Sequence, residues 1–270
     1  MLTPIQVLPT DVIHLMAAGE VIDSLAAVVR ELAENALDAG ATRIVIQLWT
    51  EGWRVSVADN GRGMSLSDLE QAALPHRTSK IQQRADLWQI RSLGFRGEAL
   101  HSLAQLADLE ICSRVQDEAE YQAEGYRVAY DAEGEPVHVQ PLALAPGSIV
   151  TAARLFENWP SRRQSQPLAQ QLRGAQQAIQ HLALCYPQIT WQVEQNGRPW
   201  FSIWGSPTAK LVLAQLVRVP PTDIQEVTLR DFSPEFDPGF DPKFDADYPA
   251  ALTLTPVSYT HLTLPTKRIV

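Results

Sequence analysis

The sequence predicts an α+β fold in which a mixed sheet is covered by helices on one face. Three observations lead to this fold class. Helical and extended patterns are interspersed along most of the chain, two pairs of extended runs are joined by short hairpin-type turns, and 45% of the 270 residues are hydrophobic. That hydrophobic content is sufficient for a sizeable core.

The order of elements follows from local patterns. Residues 1–20 form a short leader ahead of the first helix, Gly40 is placed to stop that helix, and Asn196-Gly197 is a strong hairpin signal. Helices are predicted over 21–39, 67–74, 97–106 and 168–184. Strands are predicted over 43–49, 53–58, 109–115, 125–130, 137–141, 148–156, 189–193 and 199–204. The polar, basic stretch 75–93 is interpreted as a mobile loop.

Gly205-Ser-Pro207 is the predicted domain boundary. We assign residues 1–204 to a first domain and 205–256 to an incomplete second domain, in which a helix is predicted over 209–218 and a strand over 226–229. Its Pro-, Asp- and Phe-rich stretch 233–249 is interpreted as a surface insertion or as disordered. Residues 257–270 match nothing in the preceding pattern and are left unassigned, as a truncation or sequence artefact.

Composition excludes several classes of protein. A net charge of −9 and a pI near 5.2 argue against a wholly basic nucleic-acid binder, although a local basic groove is compatible with them. Cys112 and Cys185 lack the spacing of a zinc site or a disulfide framework and are interpreted as buried thiols of a reducing compartment. No segment has the length of a membrane span or the layout of a signal peptide, so a soluble cytoplasmic protein is expected.

An acid and an amide four residues apart lie on one face of the first helix. Helical periodicity places Glu31, Asn35 and Asp38 in a narrow polar arc opposite an apolar half. A carboxylate at Glu31 can serve as a general base, and the carboxamide oxygen of Asn35 can ligate Mg²⁺. By spacing alone, the solvated face of an ordinary amphipathic helix is the commoner explanation.

A second candidate group follows the second strand. Asp59 ends that strand and can accept a hydrogen bond from an exocyclic amine such as that of adenine, while Gly61 and Gly63 make the following backbone permissive. The alternative interpretation is an Asx turn that leads into Asn60-Gly61.

Two segments could bind phosphate. Neither a P-loop nor a Gly-x-Gly-x-x-Gly motif occurs, but glycines at 94 and 97 directly precede a helix, whose free N–H groups suit an anion. Thr78, Ser79 and Lys80 could close over the same phosphates. The alternatives are a plain turn before a helix and a solvated basic loop.

Taken in order, these segments resemble the motifs of a known family. ELAENALDAG, DNGRG, HRTSK, SLGFRGEAL and Gly147-Ser-Ile-Val150 are similar to the ATP-binding motifs of the GHKL ATPases. IQVLP, AAGEVI and ALDAGAT resemble the MutL family of DNA mismatch repair proteins in particular. The resemblance is dense over about residues 4–204 and thin after them.

The resemblance implies a role for each matching residue. Glu31 would activate the attacking water, Asn35 would bind Mg²⁺, Asp59 would recognise adenine, and residues 75–98 would form a lid over ATP. Ser148, where the family usually has threonine, would assist at the base. The full set of implied cofactor-binding residues is Asn35, Asp38, Asp59, Gly61, Gly63, Thr78, Ser79, Lys80, Gly94, Phe95, Arg96, Gly97, Glu98, Ala99, Leu100 and Ser148.

The sequence departs further from the family pattern at Trp159 and by the lack of a His-Pro-x-Lys sequence. Trp159 stands where the Asn-Thr-Pro-Ala-Arg core of the family has threonine, while Asn158, Pro160 and an arginine pair remain. The His-Pro-x-Lys sequence that supplies a γ-phosphate lysine is absent from the 270 residues. The implied fold is a GHKL-type α/β sandwich followed by the start of a ribosomal-protein-like β-α-β domain.

The implied function is that of an ATP-gated switch. A nucleoid-associated, cytoplasmic homodimer would bind Mg·ATP, hydrolyse it slowly, and couple a mismatch-recognition protein to downstream repair enzymes. Weak electrostatic DNA binding would depend on Arg162, Arg163 and Arg173, and should weaken with salt. The alternatives are a binding module with little turnover and another member of the GHKL class.

Overall fold

The computed structural model describes residues 7–78, 93, 97–116, 124–224, 227–229 and 252–254. The helices are α1 (Thr10–Val21), α2 (Leu25–Asp38), α3 (Leu66–Leu69), α4 (Ala99–Leu106), α5 (Pro160–Gln164), α6 (Leu168–Cys185) and α7 (Ala209–Val217). The strands are β1 (Arg43–Trp49), β2 (Arg54–Asp59), β3 (Asp108–Arg114), β4 (Gly125–Tyr130), β5 (Pro136–Leu142), β6 (Gly147–Ala153), β7 (Thr190–Gln195), β8 (Arg198–Ile203), β9 (Val227–Leu229) and β10 (Leu252–Leu254).

Eight strands form one mixed sheet in the order β5-β4-β3-β6-β2-β1-β7-β8. β1 and β7 are parallel, and the other neighbouring pairs are antiparallel. The predicted hairpins of β1 with β2 and of β7 with β8 are confirmed. The mixed sheet with helices therefore matches the predicted fold class.

One face of the sheet packs against the helices. In β1 the buried Ile44, Ile46 and Leu48 alternate with half-buried residues, as expected for a strand with one covered face. Helix α2 contributes a buried stripe that includes Val28, Leu32 and Ala36, and it contacts α6 and β2. The same packing leaves the polar arc of α2 beside the end of β2.

The leader prediction is wrong for residues 10–21, which form α1. The docked side of α1 includes Leu15, Ala18 and Gly19 and continues to the C-cap residue Ile22, a set with the spacing of one helical face. Gly19 has low helix propensity in isolation, so the local pattern did not predict this helix. Helix α2 begins at Leu25 rather than at residue 21, because the hydroxyl of Ser24 accepts the Ala27 N–H and caps it.

Other boundaries were also misplaced. In place of the predicted helix 67–74 the structure has the shorter α3 (Leu66–Leu69), whose N-cap is Ser65 in a capping box. β6 ends at Ala153 rather than at residue 156, because Arg154 and Phe156 both have positive φ angles (54° and 58°). Helix α5 was not predicted.

The prediction of two buried thiols is correct for one cysteine only. Cys112 is buried as expected, whereas Cys185, in the last turn of α6, is exposed.

The region after residue 204 is described only in part. Helix α7 coincides with the predicted helix and packs against α6, and β9 pairs with β10 in a separate two-stranded sheet. The predicted insertion 233–249 and the unassigned tail 257–270 lie outside the described residues. Within the described part of the chain, no single helix is long and apolar enough to cross a membrane; a pair formed by Val12–Val21 and α2 reaches that length and composition only across a 71° bend.

Replacing Ile46 by Ala should destabilise the protein by about 2–5 kcal/mol, because the side chain is fully buried and its removal leaves a cavity. Val45→Ala on the opposite face of β1 is the matched control, and it should cost clearly less because Val45 is only half-buried. Urea unfolding of both variants measures the difference. Equal losses would contradict the assignment of the covered face.

Candidate functional site

Helix α2 carries the first group of candidate residues. Glu31, Asn35 and Asp38 are half-buried, in contrast to the fully buried stripe on the other side of the helix. The Glu31 carboxylate lies 3.8 Å from Nε of Arg30, and its side chain keeps 22% of its surface exposed. The arc therefore lies at the margin of the core, where water and ligands can reach polar atoms.

Asp59 ends β2 beside this helix. Its Oδ1 accepts the Gly61 N–H at 2.7 Å, so the Asx turn considered from the sequence is present. Burial raises the pKa of the Asp59 carboxyl above its ordinary value of 3.8, while hydrogen bonds from the backbone N–H groups of Gly61 and Ser148 act in the opposite direction. The turn leaves further acceptor capacity on the carboxylate, so it does not exclude a ligand-binding role.

The loop after β2 packs directly on the C-terminal end of α2. A Cβ atom at Gly61 would lie 2.8 Å from both Cβ and O of Ala39. The Arg62 N–H donates to Ala39 O at 2.9 Å, and Arg62 Nη1 donates to Asp38 O at 3.2 Å. Since α2 has no basic residue in its last turn, Arg62 supplies the positive charge that favours a helix C-terminus.

Gly63 and Ser148 connect this loop to neighbouring strands. Gly63 has φ +69°, and a Cβ there would lie 1.9 Å from Arg114 O, so no other residue fits without a backbone shift. The Met64 N–H donates to Ser113 Oγ at 2.8 Å, and Ser113 Oγ also lies 2.8 Å from Ser148 Oγ. Ser148, 7% exposed, pairs with Asp59 across the β2–β6 register.

A second group of candidate residues surrounds the start of α4. Gly97 has φ +64°, and a Cβ there would lie 2.5 Å from Arg77 O. His76 Nδ1 lies 3.4 Å from Glu98 Oε1, which joins the same two segments through side chains. Glu98 precedes α4 without a side-chain capping bond, and Ala99 and Leu100 form its half-buried first turn.

A hydrogen bond links the two groups. The Leu93 N–H donates to Asp38 Oδ1 at 3.0 Å, so the C-terminal end of α2 touches the segment that leads to α4. The structure thus brings together α2, the 59–63 loop and Ser148, and it packs the backbone of Arg77, the residue before Thr78, against Gly97. The candidates Ser79, Lys80, Gly94, Phe95 and Arg96 lie outside the described residues.

Sequence reasoning missed two residues of this site. Ser113 joins Met64 to Ser148, and Arg62 joins the loop to α2. Neither had a local signal, because the partners of Ser113 lie 49 and 35 residues away. Among the described residues, no group of three or more His, Cys, Asp or Glu side chains could hold a metal ion.

Comparison with known proteins defines the class of this fold and site. Residues 23–145 match the family described as histidine kinase-, DNA gyrase B- and HSP90-like ATPase. That range contains α2, the 59–63 loop and the start of α4. The chain therefore carries a GHKL ATPase domain.

Proteins of similar sequence show which kind of GHKL ATPase domain this is. The DNA mismatch repair protein MutL of Nostoc sp. is 55% identical over 237 residues, which make up 87% of this chain and 41% of the relative. A solved N-terminal domain of a DNA repair protein matches with a TM-score of 0.68 and 26% identity, covering 83% of this chain and 66% of that one. This is a MutL-type ATPase domain, and the chain spans about two fifths of the length of the Nostoc relative.

A third comparison concerns the fold. The Aquifex aeolicus MutL ATPase domain complexed with ADP matches with a TM-score of 0.61 at 24% identity, covering 77% of this chain and 73% of that structure. The GHKL-type sandwich expected from the sequence is thus confirmed.

Replacing Asp59 by Asn should stabilise the folded protein at neutral pH. The raised pKa means that the folded state binds this proton more tightly than the unfolded chain does, so the stability of the parent falls as the pH rises from 3.8 through the raised pKa. The carboxamide avoids this loss, and its Oδ1 can still accept the Gly61 N–H. The advantage of the variant should therefore shrink as the pH is lowered to 3.8.

Urea unfolding midpoints of parent and Asp59→Asn, measured across that pH range, check the prediction. Glu51→Gln is the control, since Glu51 is exposed in the turn between β1 and β2. A difference between Asp59→Asn and parent that does not change with pH would contradict the burial argument.

Proposed function

We propose that this chain binds ATP with Mg²⁺ beside the C-terminal half of α2 and hydrolyses it slowly. The observation that carries the proposal is the junction of three features: the half-buried Asp59 carboxylate, the close packing of Gly61 on Ala39, and the polar arc of α2. This junction thus offers an acceptor for a base, a loop that glycine allows to lie close against α2, and groups suited to metal and water. The Aquifex aeolicus relative, described as an ADP complex, is consistent with this proposal.

Recognition of adenine would depend on Asp59. An ionised carboxylate accepts hydrogen bonds only, and Asp59 keeps lone pairs beyond the one bonded to Gly61. The exocyclic amine of adenine is a donor of the matching kind. Ser148 would support this end of the site, because it bonds the Asp59 carboxylate through its backbone N–H and Ser113 through its hydroxyl.

The side chains at this site suit Mg²⁺, which needs few protein ligands, better than they suit a metal ion whose ligands all come from the protein. Mg²⁺ usually keeps several waters and binds through one or two protein oxygens together with substrate phosphates. The Asn35 carboxamide provides such an oxygen at the half-buried margin of α2, and no larger ligand cluster exists among the described residues. When bound, the ion would neutralise part of the phosphate charge.

Glu31 would act as the general base. Its carboxylate lies one helical turn before Asn35, so both can face the same ligand, and its partial exposure leaves room for a water molecule. The carboxylate would accept a proton from this water as the water attacks the terminal phosphate.

The phosphates would extend toward the start of α4. Gly97, Glu98, Ala99 and Leu100 supply backbone N–H groups at a helix N-terminus, and Gly97 approaches Arg77 more closely than a Cβ allows. Asp38, bonded to the Leu93 N–H, would hold this segment against α2. The same proposal assigns phosphate contacts to Thr78, Ser79, Lys80, Gly94, Phe95 and Arg96.

The ATPase cycle would serve a MutL-type switch in DNA mismatch repair. We propose that nucleotide binding brings two copies together through α1, where Val12, Ile13 and Met16 are 36%, 46% and 48% exposed. Exposed large apolar side chains grouped on one helix favour a protein interface. The resulting cytoplasmic, nucleoid-associated homodimer would couple a mismatch-recognition protein to downstream repair enzymes. The proposal also places the boundary between the ATPase domain and the second domain near residue 205.

A binding module with little turnover is the second candidate. The sequence leaves this alternative open. DNA binding by this module would be weak, because Arg162 and Arg163 already donate to the carbonyl oxygens of Gly19 and Leu155. Nucleotide affinity and steady-state turnover, measured together, separate the two candidates: tight binding with negligible turnover favours the module.

Replacing Glu31 by Ala should lower ATP hydrolysis at least about a hundredfold, because a general base commonly contributes that much. ATP affinity should remain within a few-fold of the parent, since Asp59 and the backbone groups at α4 are untouched. Phosphate release and nucleotide binding measure the two effects, with Glu51→Ala as the control acid on the exposed turn. Undiminished hydrolysis by Glu31→Ala would remove Glu31 from the proposed role.

A further inference from the structure

Residues 156–163, called the bridge segment below, contact two helices that the proposed ATPase cycle uses. The segment comprises the end of the β6–α5 connection and most of α5. On one side it touches α1, which carries the exposed apolar residues, and on the other it touches the C-terminal end of α4. None of its residues has a role in the nucleotide site.

Trp159 packs directly on the backbone of α1. A Cβ atom at Gly19 would lie 2.4 Å from Cζ3 of Trp159, a distance that real Cβ atoms essentially never show. The indole ring therefore occupies the volume that any side chain at position 19 would fill. Since Gly19 lowers the stability of the last turn of α1, this close contact helps to retain the helix there.

Arg162 completes the contact. Its guanidinium lies over the Trp159 ring at 4.6 Å from the centroid, and its Nη2 donates to Gly19 O at 3.3 Å. The two side chains thus bind both the surface and a carbonyl oxygen of α1. A guanidinium stacked on an aromatic ring in a partly desolvated position stabilises the ring orientation as well as the contact.

The other side of the bridge segment caps α4. Asn158 Nδ2 donates to Gln105 O at 2.6 Å, and the Phe156 N–H donates to Leu106 O at 2.8 Å. These bonds satisfy carbonyl oxygens in the last turn of the helix, which have no partner within it. Phe156 itself is fully buried, so this end of the segment is fixed to the core.

We propose that Trp159, with Arg162 stacked on it, is a positioning residue that fixes α1 to the end of α4 and thereby presents the apolar side of α1 to a second copy of this chain. The docked stripe of α1 (Leu15, Ala18, Gly19 and Ile22) packs directly on α4, whereas Val12, Ile13 and Met16 on the other side are exposed. Without the bridge segment, α1 would be held by this packing alone and would be less firmly ordered before association, at a cost in affinity.

The proposal assigns a function to a departure from the family pattern. Threonine, the residue usual at this position, is too small to cover the backbone at Gly19 and offers no ring to Arg162. Trp159 therefore holds α1 against the end of α4 more firmly than a threonine at this position would. The inference rests on the proposed nucleotide-dependent self-association, and the experiment below distinguishes the failure of one from the failure of the other.

Two measurements on the full 270-residue chain test the proposal. Hydrogen–deuterium exchange without nucleotide reports the docking of α1, and sedimentation velocity with Mg²⁺ and a non-hydrolysable ATP analogue reports self-association. The variants are Trp159→Thr, Gly19→Ala and Arg162→Lys. The matched control is Arg163→Lys. Arg163 lies on the same helix, but its guanidinium lies over another ring, that of Trp53 at 5.6 Å, and it donates to Leu155 O rather than to α1.

Trp159→Thr and Gly19→Ala should raise exchange in α1 about tenfold or more and weaken self-association by about tenfold, since a preorganised contact is lost. Arg162→Lys should have a smaller effect in the same direction, and Arg163→Lys should match the parent. Affinity for the ATP analogue should not change, which separates positioning of α1 from damage to the nucleotide site. Trp159→Phe keeps a ring and provides a milder variant if Trp159→Thr does not fold.

Several outcomes would overturn the proposal. Unchanged α1 exchange in Trp159→Thr would show that the ring does not anchor the helix, and uniformly faster exchange would indicate general destabilisation. Faster α1 exchange with unaltered self-association would remove the link to the second copy. If the parent itself stays monomeric with nucleotide, the self-association in the proposed function fails, while the exchange data alone still decide whether Trp159 anchors α1.

Discussion

The packing of the 59–63 loop on the C-terminal end of α2 is the contact on which the rest of the candidate site depends. Gly61 allows the loop to approach Ala39, and Arg62 bonds the last carbonyl oxygens of the helix through its backbone and its guanidinium. Because of this contact, the carboxylate at the end of β2 and the polar arc of α2 share one margin of the core. A displaced loop would separate the proposed base-recognition and metal-binding ends.

Much of the architecture was predictable because its signals are local. Alternating burial along β1, the Asn196-Gly197 turn and the apolar stripe of α2 are all encoded within a few residues. The predicted polar residues of α2 and the Asp59 turn also occur as expected, because helical periodicity and Asx geometry are properties of short segments. The sheet order follows less directly, since β1 pairs with a strand almost 150 residues later.

The features that sequence reasoning missed depend on distant partners. Helix α1 contains a glycine whose cost is offset by Trp159, which lies 140 residues further along the chain. Ser113 acquires its role only when β3 and β6 pair and bring it beside Ser148. Local propensity carries no information about such contacts, so these elements could not be derived from the pattern around them.

A crystal structure of this chain grown with Mg²⁺ and a non-hydrolysable ATP analogue tests the central claim most directly. The account predicts the base amine within hydrogen-bonding distance of the Asp59 carboxylate, the metal ion beside the Asn35 oxygen, and the phosphates at the start of α4. An analogue bound elsewhere, or one bound with Asp59 and Asn35 both turned away from it, would contradict the account.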